Sequence, residues 1–153
     1  MRSSSDKKIF IGTMSGTSHD GIDICSLNVA NQISLLKFSS FKYPTQLRED
    51  ISRSIQRQEL SLNMYFDLDK RIGQAFSKSI KKFLTQNKIN KKNVAAIGLS
   101  GQTLFHQPKG RYPFSIQAGD PKIVSMECEL DVVSDFRNDH ISLGGEGAPL
   151  VPE

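Results

Sequence analysis

The stretch that decides the fold spans residues 9–29 and reads IFIGTMSGTSHDGIDICSLNV. Two apolar runs, residues 9–11 and 22–27, flank a turn that is rich in glycine, hydroxyl and carboxylate side chains. Short apolar runs bounded by turn residues are typical of β-strands. The stretch therefore predicts two strands, Ile9–Ser15 and Ile22–Val29, on either side of this turn.

The turn also has the composition of a phosphate-binding loop. Glycine lets backbone N–H groups approach a phosphate closely, because it has no Cβ and accepts positive φ. Hydroxyl groups add hydrogen bonds, and carboxylates hold Mg²⁺ directly or through water. No helix pattern follows, and the Gly-Lys-Ser/Thr ending of a Walker loop is absent. The same residues also form turns for backbone reasons alone, so phosphate binding and a plain hairpin turn both stay open here.

Composition predicts one ordinary globular domain. The chain has 153 residues, of which 37% are apolar and 24% charged, and its net charge is +4. The excess lysines cluster at predicted helix ends, which favours a solvated surface over a nucleic-acid interface. No apolar run approaches the ~20 residues that span a membrane, and Met1 to Lys8 lacks the apolar part of a signal peptide. We predict a cytoplasmic protein with no nucleic-acid or membrane partner, whose two cysteines, Cys25 and Cys128, stay reduced.

Patterns after residue 29 predict the remaining elements. A third strand, Gln32–Phe41, completes an antiparallel meander. Two helices follow, Thr45–Arg57 and Ser61–Gln86, the second with an apolar stripe of period 3.6. Further strands are predicted at 94–99, 103–108, 114–117 and 130–136, with one more helix from Asp120 to Glu129. Residues 1–8 are predicted to be disordered, and the tail from residue 144 is predicted to be a loop.

This order of elements predicts an α/β protein. Three strands, two helices and returning strands indicate a mixed sheet with flanking helices. The same order occurs in one half of the actin-like and sugar-kinase fold, which is ribonuclease H-like. Element order alone does not specify a function.

Four segments together resemble one family, the anhydro-N-acetylmuramic acid kinases of bacterial cell-wall recycling. They are MSGTSHDGID at 14–23, GQT at 101–103 followed by His106 and Pro108, QAGDP at 117–121, and DFR at 135–137 leading to GGEGAPLVP at 144–152. Each segment is modest alone. Their order and spacing make the match specific, and it extends over essentially the whole chain after Lys8.

The resemblance implies an activity and its cofactors. The family uses ATP, Mg²⁺ and water to open the 1,6-anhydro bridge of its amino sugar and to phosphorylate the freed 6-oxygen, a step of peptidoglycan recycling. The partners implied are therefore a small sugar substrate and ATP. By resemblance, the ATP phosphates are bound by Gly16, Thr17, Ser18, His19, Asp20, Gly21, Ile22 and Asp23. Asp20 and Asp23 are the implied Mg²⁺ ligands.

A second set of residues is implied for the sugar, and each member has a structural alternative. His106 contacts sugar or phosphate, or is a structural histidine bonded to a backbone carbonyl. Asp135 lies at a strand end and Arg137 suits a carboxylate or phosphate, unless the two form a salt bridge with Asp139. Gly144, Gly145 and Glu146 belong to a loop that encloses the sugar or acts as a hinge. For Asp120, we favour a helix cap over catalysis.

Several departures from the family pattern accompany the match. Ser100 and Glu146 stand where the family has histidine and glutamine, and His19 replaces an apolar residue. Family members are more than twice as long, and their expected catalytic aspartate would lie beyond Glu153. We therefore predict that residues 9–153 are an N-terminal phosphate-binding domain without the second domain, inactive alone. The partners predicted for it are that second domain or further copies of the chain in a homo-oligomer. The alternatives are a non-catalytic remnant or binding module and, less consistent with the 144–152 segment, a nucleotide-dependent chaperone-like domain.

Overall fold

The computed structural model describes residues 9–30, 32–57 and 59–148, which form six strands and four α-helices. In chain order the elements are β1 (Ile9–Ser15), β2 (Gly21–Val29), β3 (Ile33–Lys42), α1 (Thr45–Arg57), α2 (Leu62–Gln86), β4 (Val94–Gln107), β5 (Phe114–Ala118), α3 (Pro121–Cys128), β6 (Val132–Ser134) and α4 (Phe136–Ser142). A single 3₁₀ turn, Lys91–Asn93, precedes β4. The predictions for residues 1–8 and for 149–152 fall outside the described residues.

The six described strands form one mixed sheet. Its order is β3-β2-β1-β4-β5, and β6 also pairs with β4. The pairs β1–β2 and β2–β3 are antiparallel, as predicted for the meander, whereas β4 runs parallel to both β1 and β6. The predicted α/β class with a mixed sheet is confirmed.

The hydrophobic core lies between the sheet and the helices α1, α2 and α3. Alternate residues of the strands are fully buried, among them Ile11, Ile24 and Ile97. They pack against the apolar stripe of α2, in which Ile72 and Phe76 have no exposed surface. Helix α2 begins where predicted, because the Ser61 hydroxyl caps the N–H of Met64 at 3.3 Å.

The opposite side of the sheet, here called the open sheet face, keeps exposed apolar side chains. One row crosses five strands through the register pairs Phe38, Cys25, Gly12, Gly98 and Val133. A second row pairs Phe10, Leu27 and Leu35. Phe38 is 58% exposed, Leu35 63% and Val133 54%. Helices α1 to α3 therefore cover one face of the described sheet, and the other face is largely open apart from Phe136 of α4, whose ring lies over Gly98.

One correction concerns β4. Two strands, 94–99 and 103–108, are predicted from sequence, but the structure has one strand of 14 residues. Gly101 adopts φ +66° within it, and the register with β1 and β5 is irregular on either side. The strand continues through this irregularity because its first half pairs with β1 and β6 and its second half with β5. Pairing between distant segments is not visible in a local pattern.

A second correction concerns residues 130–142. The predicted strand 130–136 is shorter, since β6 covers only Val132–Ser134. Asp135 turns the chain with a left-handed φ of 68°, and the unpredicted helix α4 follows. Ile141 of this helix is buried, so packing of a single apolar residue helps to hold a helix that is too short for a periodic signal.

Candidate functional site

The β1–β2 loop, residues 16–20, is closed by a tight turn. The N–H of His19 donates to the carbonyl of Gly16 at 3.0 Å, and His19 adopts a left-handed φ of 44°. Gly16, Thr17 and Ser18 are exposed. The N–H groups of Thr17 and Ser18 donate to no other residue within 9–30, 32–57 and 59–148. The loop therefore offers two backbone donors and two hydroxyls, which are groups that bind phosphate.

The glycines at the two ends of this loop differ in their surroundings. A Cβ on Gly16 would meet only the Ser18 hydroxyl at 3.8 Å, so the space beside it is open. A Cβ on Gly21 would lie 2.2 Å from the carbonyl oxygen of Phe41 on β3. Neighbouring Ile22 has its side chain in the hydrophobic core. The residues of the loop itself fit a phosphate group, whereas Gly21 and the Ile22 side chain serve the packing of the sheet.

The two carboxylates predicted to hold Mg²⁺ have different neighbours. Asp20 is exposed and lies 3.8 Å from the guanidinium of Arg48 on α1. Asp23 accepts a hydrogen bond from Ser40 on the sheet side opposite the buried Ile22. The described residues contain no group of three or more histidine, cysteine or acidic side chains arranged for a metal. Mg²⁺ at a phosphate site commonly takes one or two carboxylates plus waters and phosphate oxygens, and Asp20 at the loop fits that role.

A cavity of ≈ 410 Å³ opens beside the Gly101 irregularity of β4. Its walls come from α2, β4, β5, β6 and the start of α4, and the polar groups in them include Asp69, Gln117, Asp135 and Asn138. The volume is within the range of small-ligand sites. Because β1, β4 and β6 run parallel, the β1–β2 loop and the Ser134–Asp135 wall follow strands that end at the same edge of the sheet.

Asp69 and Tyr65 line this cavity from helix α2. The Asp69 carboxylate accepts the N–H of Gly119 at 2.7 Å and so ties α2 to the turn before α3. Burial raises the pKa of the Asp69 carboxyl above its usual range, although the Gly119 N–H partly offsets this. Burial likewise raises the pKa of Tyr65, and the carboxylates of Asp69, Asp120 and Asp135 add to the effect. Several carboxylates therefore lie in or near the cavity wall.

Asp135 lies in this wall, and its role in sugar binding stays a prediction. Its carboxylate accepts the side-chain N–H of Asn138 at 2.7 Å. Asn138 also bonds both backbone groups of Ser115 at 2.9 Å, which attaches the start of α4 to β5. A left-handed φ on a residue other than glycine costs energy and is enriched at functional sites. Asp120, in contrast, caps α3 by accepting the N–H of Lys122 at 2.8 Å, as favoured above.

His106 is connected to the cavity only through the hydrogen bonds of its neighbours. Its Nδ1 lies 3.1 Å from the Ser115 hydroxyl, which also accepts the side-chain N–H of Gln117 at 2.7 Å. Ser115 and Gln117 line the cavity, but His106 does not. Its partner is therefore a hydroxyl, and not the backbone carbonyl of the structural alternative.

Arg137 and the glycine-rich segment lie apart from the cavity lining. Arg137 is half-buried, and burial lowers the pKa of its guanidinium. It pairs with no carboxylate of a described residue, so the salt bridge to Asp139 that was the structural alternative does not form among the described residues. Gly144 and Gly145 end α4, because their N–H groups donate to Ile141 and His140 at 2.9 Å and Gly144 adopts φ +87°. Glu146 pairs with Lys109 at 2.6 Å on the surface. Here the glycines have a helix-ending role.

Three residues at these sites were given no role from sequence. Gln102 lies beneath the β1–β2 loop, Arg48 faces it from α1, and Asp69 lines the cavity from α2. Only Gln102 had a local signal, since it belongs to the GQT segment that resembles the family. The other two reach their places through tertiary packing.

No helix within 9–57 and 59–148, residue 31 aside, combines the length and the apolar character needed to traverse a bilayer. The described cysteines, half-buried Cys25 and buried Cys128, are both free thiols. Burial raises the pKa of the Cys128 thiol to about 11.

Comparison with known proteins gives a consistent result. The family profile described as anhydro-N-acetylmuramic acid kinase matches residues 8–153. A curated protein of that name from Gamma-proteobacterium EBAC31A08 is 51% identical over 147 residues, which is 96% of this chain and 40% of that protein. Proteins of the same name from Vibrio vulnificus and Sulfurovum sp. are 39% and 40% identical over 149 and 148 residues. The chain spans about two fifths of the length of these curated relatives.

Proposed function

The chain belongs to the anhydro-N-acetylmuramic acid kinase family, and from this premise we propose that it supplies the phosphate-binding wall of an ATP- and Mg²⁺-dependent sugar kinase. The reaction proposed is opening of the 1,6-anhydro bridge by water and transfer of the γ-phosphoryl group to O6. The observation that supports this role is the exposed β1–β2 loop, in which the Thr17 and Ser18 N–H groups have no partner among the described residues and the space beside Gly16 is open.

Charge at this loop is suited to a metal-bound phosphate. Mg²⁺, when bound, neutralises phosphate charge during transfer. Asp20 is the proposed ligand, because its carboxylate is exposed at the loop, whereas Asp23 is bonded to Ser40 on the other side of the sheet. The Arg48 guanidinium, 3.8 Å from Asp20, is a cation that the loop sequence itself lacks. The loop segment from Gly16 to Asp20 thus has donors, a carboxylate and a nearby cation.

For the sugar, we propose the ≈ 410 Å³ cavity. Hydroxyl-rich ligands are bound by carboxylate and amide side chains that each exchange hydrogen bonds with them. Asp135, Gln117 and Asn138 present such groups in the lining. A role in sugar binding remains a prediction for five further residues, whose contacts neither require nor oppose it: His106, Arg137, Gly144, Gly145 and Glu146.

Weak, Mg²⁺-dependent binding of nucleotide is the first expected result. The loop holds phosphates without contacts to adenine or ribose, so we expect a Kd on the order of 1 mM, near −4 kcal/mol, for both ATP and tripolyphosphate. Gly16→Val should abolish binding by filling the open space. Asp20→Asn should weaken it by removing a metal ligand, and Asp23→Asn, the matched control, should weaken it less. The measurement is an NMR titration, and silent amides at residues 14–23 under saturating Mg²⁺–ATP would contradict the assignment.

We propose further that the 153-residue polypeptide alone does not turn over. Phosphoryl transfer needs the phosphate, nucleophile and base positioned together, and the chain spans about 40% of the relatives' length. Incubation with ATP, Mg²⁺ and the anhydro sugar should give no phosphosugar above the enzyme-free background; product formation would refute the proposal. Sequencing the DNA downstream of codon 153 distinguishes the kinase from the alternative of a non-catalytic binding module. For the kinase, we expect the coding sequence to continue in frame.

A partner surface is proposed on the open sheet face. Monomeric proteins rarely expose large contiguous apolar patches. We therefore expect the 153-residue polypeptide to self-associate through Phe38 and Leu35. In a chain as long as the relatives, we expect the additional residues to cover this patch. Phe38→Lys should lower the association constant about tenfold or more, equivalent to ~1.4 kcal/mol. Met126→Lys is the control, since Met126 is 78% exposed on α3. Sedimentation that shows wild-type monomer at every concentration would rule the idea out.

A further inference from the structure

A buried chain of hydrogen bonds lies directly beneath the β1–β2 loop. It contains Tyr43, Ser15 and Gln102, which are 5%, 1% and 0% exposed. The Tyr43 hydroxyl donates to the Ser15 hydroxyl at 3.1 Å. The Ser15 hydroxyl has two acceptors within reach, Gln102 Oε1 at 2.6 Å and the Gly21 carbonyl at 2.9 Å, and the shorter contact is to Oε1. Burial raises the pKa of Tyr43, so its hydroxyl stays protonated and remains a donor. The hydrogen bonds therefore lead from Tyr43 through Ser15 to Gln102, the nearer acceptor of the Ser15 hydroxyl.

Gln102 is the end of this chain, and its side chain contacts the loop. Its Nε2 donates to the carbonyl of Gly16 at 3.3 Å and to that of Thr103 at 3.2 Å. Both partners are carbonyl oxygens, which fixes the amide orientation with Nε2 towards them and Oε1 towards Ser15. A glutamine uses one acceptor and two donors here. Neither glutamate nor methionine offers the same set, so the residue type follows from its three partners.

The contact determines where the next backbone donor points. The peptide unit is planar and trans, so the N–H of Thr17 points opposite to the carbonyl of Gly16. Gln102 binds that carbonyl from the buried side of the loop, beside the turn bond from His19. The Thr17 N–H is consequently directed away from the core, towards solvent, and has no partner among the described residues.

We propose that Gln102 is the positioning residue of the β1–β2 loop: held by Ser15 and Tyr43, it turns the Gly16 carbonyl inward and so presents the Thr17 N–H to a bound phosphate. The ligand in this statement rests on the proposed function. The loop conformation does not, because it is set by contacts within the chain. Gln102 touches no ligand in this scheme and acts only through the backbone of Gly16 and Thr17.

The test measures loop order without ligand and then affinity. In the 153-residue chain, ¹⁵N relaxation of Thr17, Ser18 and His19 should give order parameters near ~0.85 in the wild type and below ~0.6 in Gln102→Met. Amides in the centres of β1 and β2 should stay rigid. Affinity for Mg²⁺–tripolyphosphate should fall about tenfold, the equivalent of one lost hydrogen bond. A merely structural role would change global stability and leave the loop as ordered as its neighbours.

Matched serines supply a second variant and a control. Ser15→Ala removes the partner of Oε1, together with the 2.9 Å contact of the same hydroxyl to the Gly21 carbonyl. It should loosen residues 17–19 as Gln102→Met does, so it tests the inference if Gln102→Met fails to fold. Ser26→Ala removes an equally buried hydroxyl of β2 that has no partner among the described residues, and should change nothing in the loop. Order parameters that stay near ~0.85 in folded Gln102→Met or Ser15→Ala overturn the inference. A wild-type loop that ignores Mg²⁺–tripolyphosphate contradicts the proposed function instead, and the order parameters still decide the role of Gln102.

Discussion

Gly21→Ala is expected to destabilise the fold by more than about 4 kcal/mol, a loss that falls in the exceptional range for one substitution. The added Cβ would lie 2.2 Å from the carbonyl oxygen of Phe41, 3.0 Å from its carbonyl carbon and 3.2 Å from the Cα of Lys42. All three atoms belong to the β3 backbone, so no side-chain rotation relieves the overlap. Since Gly21 pairs with Lys42 at the start of β2, strands β2 and β3 would have to separate there.

Urea denaturation of the variant measures this loss, and Gly16→Ala is its control. A Cβ at residue 16 meets only the Ser18 hydroxyl at 3.8 Å, so its free energy of unfolding should stay within about 0.5 kcal/mol of the wild type. If Gly21→Ala unfolds at the same urea concentration as Gly16→Ala, the close approach of β2 and β3 does not constrain the fold.

This pair of glycines shows how far a motif can be interpreted from sequence. Both belong to the segment that resembles a nucleotide loop, and from sequence both were assigned to the cofactor. In the structure Gly21 is required by a strand 20 residues away in the chain, because Phe41 packs against it. A local pattern identifies the glycine but does not distinguish contact with a ligand from contact with a distant backbone.

The early elements were predictable because their signals are local. Strands β1 to β3 and helices α1 and α2 follow from apolar runs, turn residues and helical period, and α1 has the predicted bounds Thr45–Arg57. The continuity of β4 through Gly101 was not predictable, since it depends on pairing with β1, β6 and β5. Helix α4 was missed because seven residues give no periodic signal, although Gly144 after it is a helix-ending glycine.

The candidate sites divide in the same way. The β1–β2 loop is contiguous in the chain, so its residues could be named from sequence. The cavity joins side chains from Tyr65 to Asn138, which only the packing of α2 against β5 and α3 brings together. Of the residues predicted for the sugar, Asp135 alone lines it. A resemblance names segments, whereas a binding site is a set of neighbours in space.

Phe76→Ala is expected to cost about 3–5 kcal/mol of unfolding free energy, the usual range for removal of a buried phenylalanine ring. Phe76 has no exposed surface and lies at the centre of α2. A Cβ placed on Gly119 would be 3.5 Å from the Phe76 ring, which shows that the ring packs against the turn before α3. The N–H of Gly119 donates to Asp69 at 2.7 Å, so the same ring supports one wall of the cavity.

Phe66→Ala on the same helix separates burial from helix propensity. Phe66 is 63% exposed, and both substitutions exchange phenylalanine for a better helix former. The control should therefore change the unfolding free energy by no more than about 0.5 kcal/mol, and the difference between the variants in urea denaturation measures the packing of Phe76. Equal losses in the two variants would mean that α2 does not use this ring to hold the sheet. Because Phe76 also supports the Gly119 turn, the amides of Gly119 and Asp120 should exchange faster in Phe76→Ala and remain unchanged in Phe66→Ala.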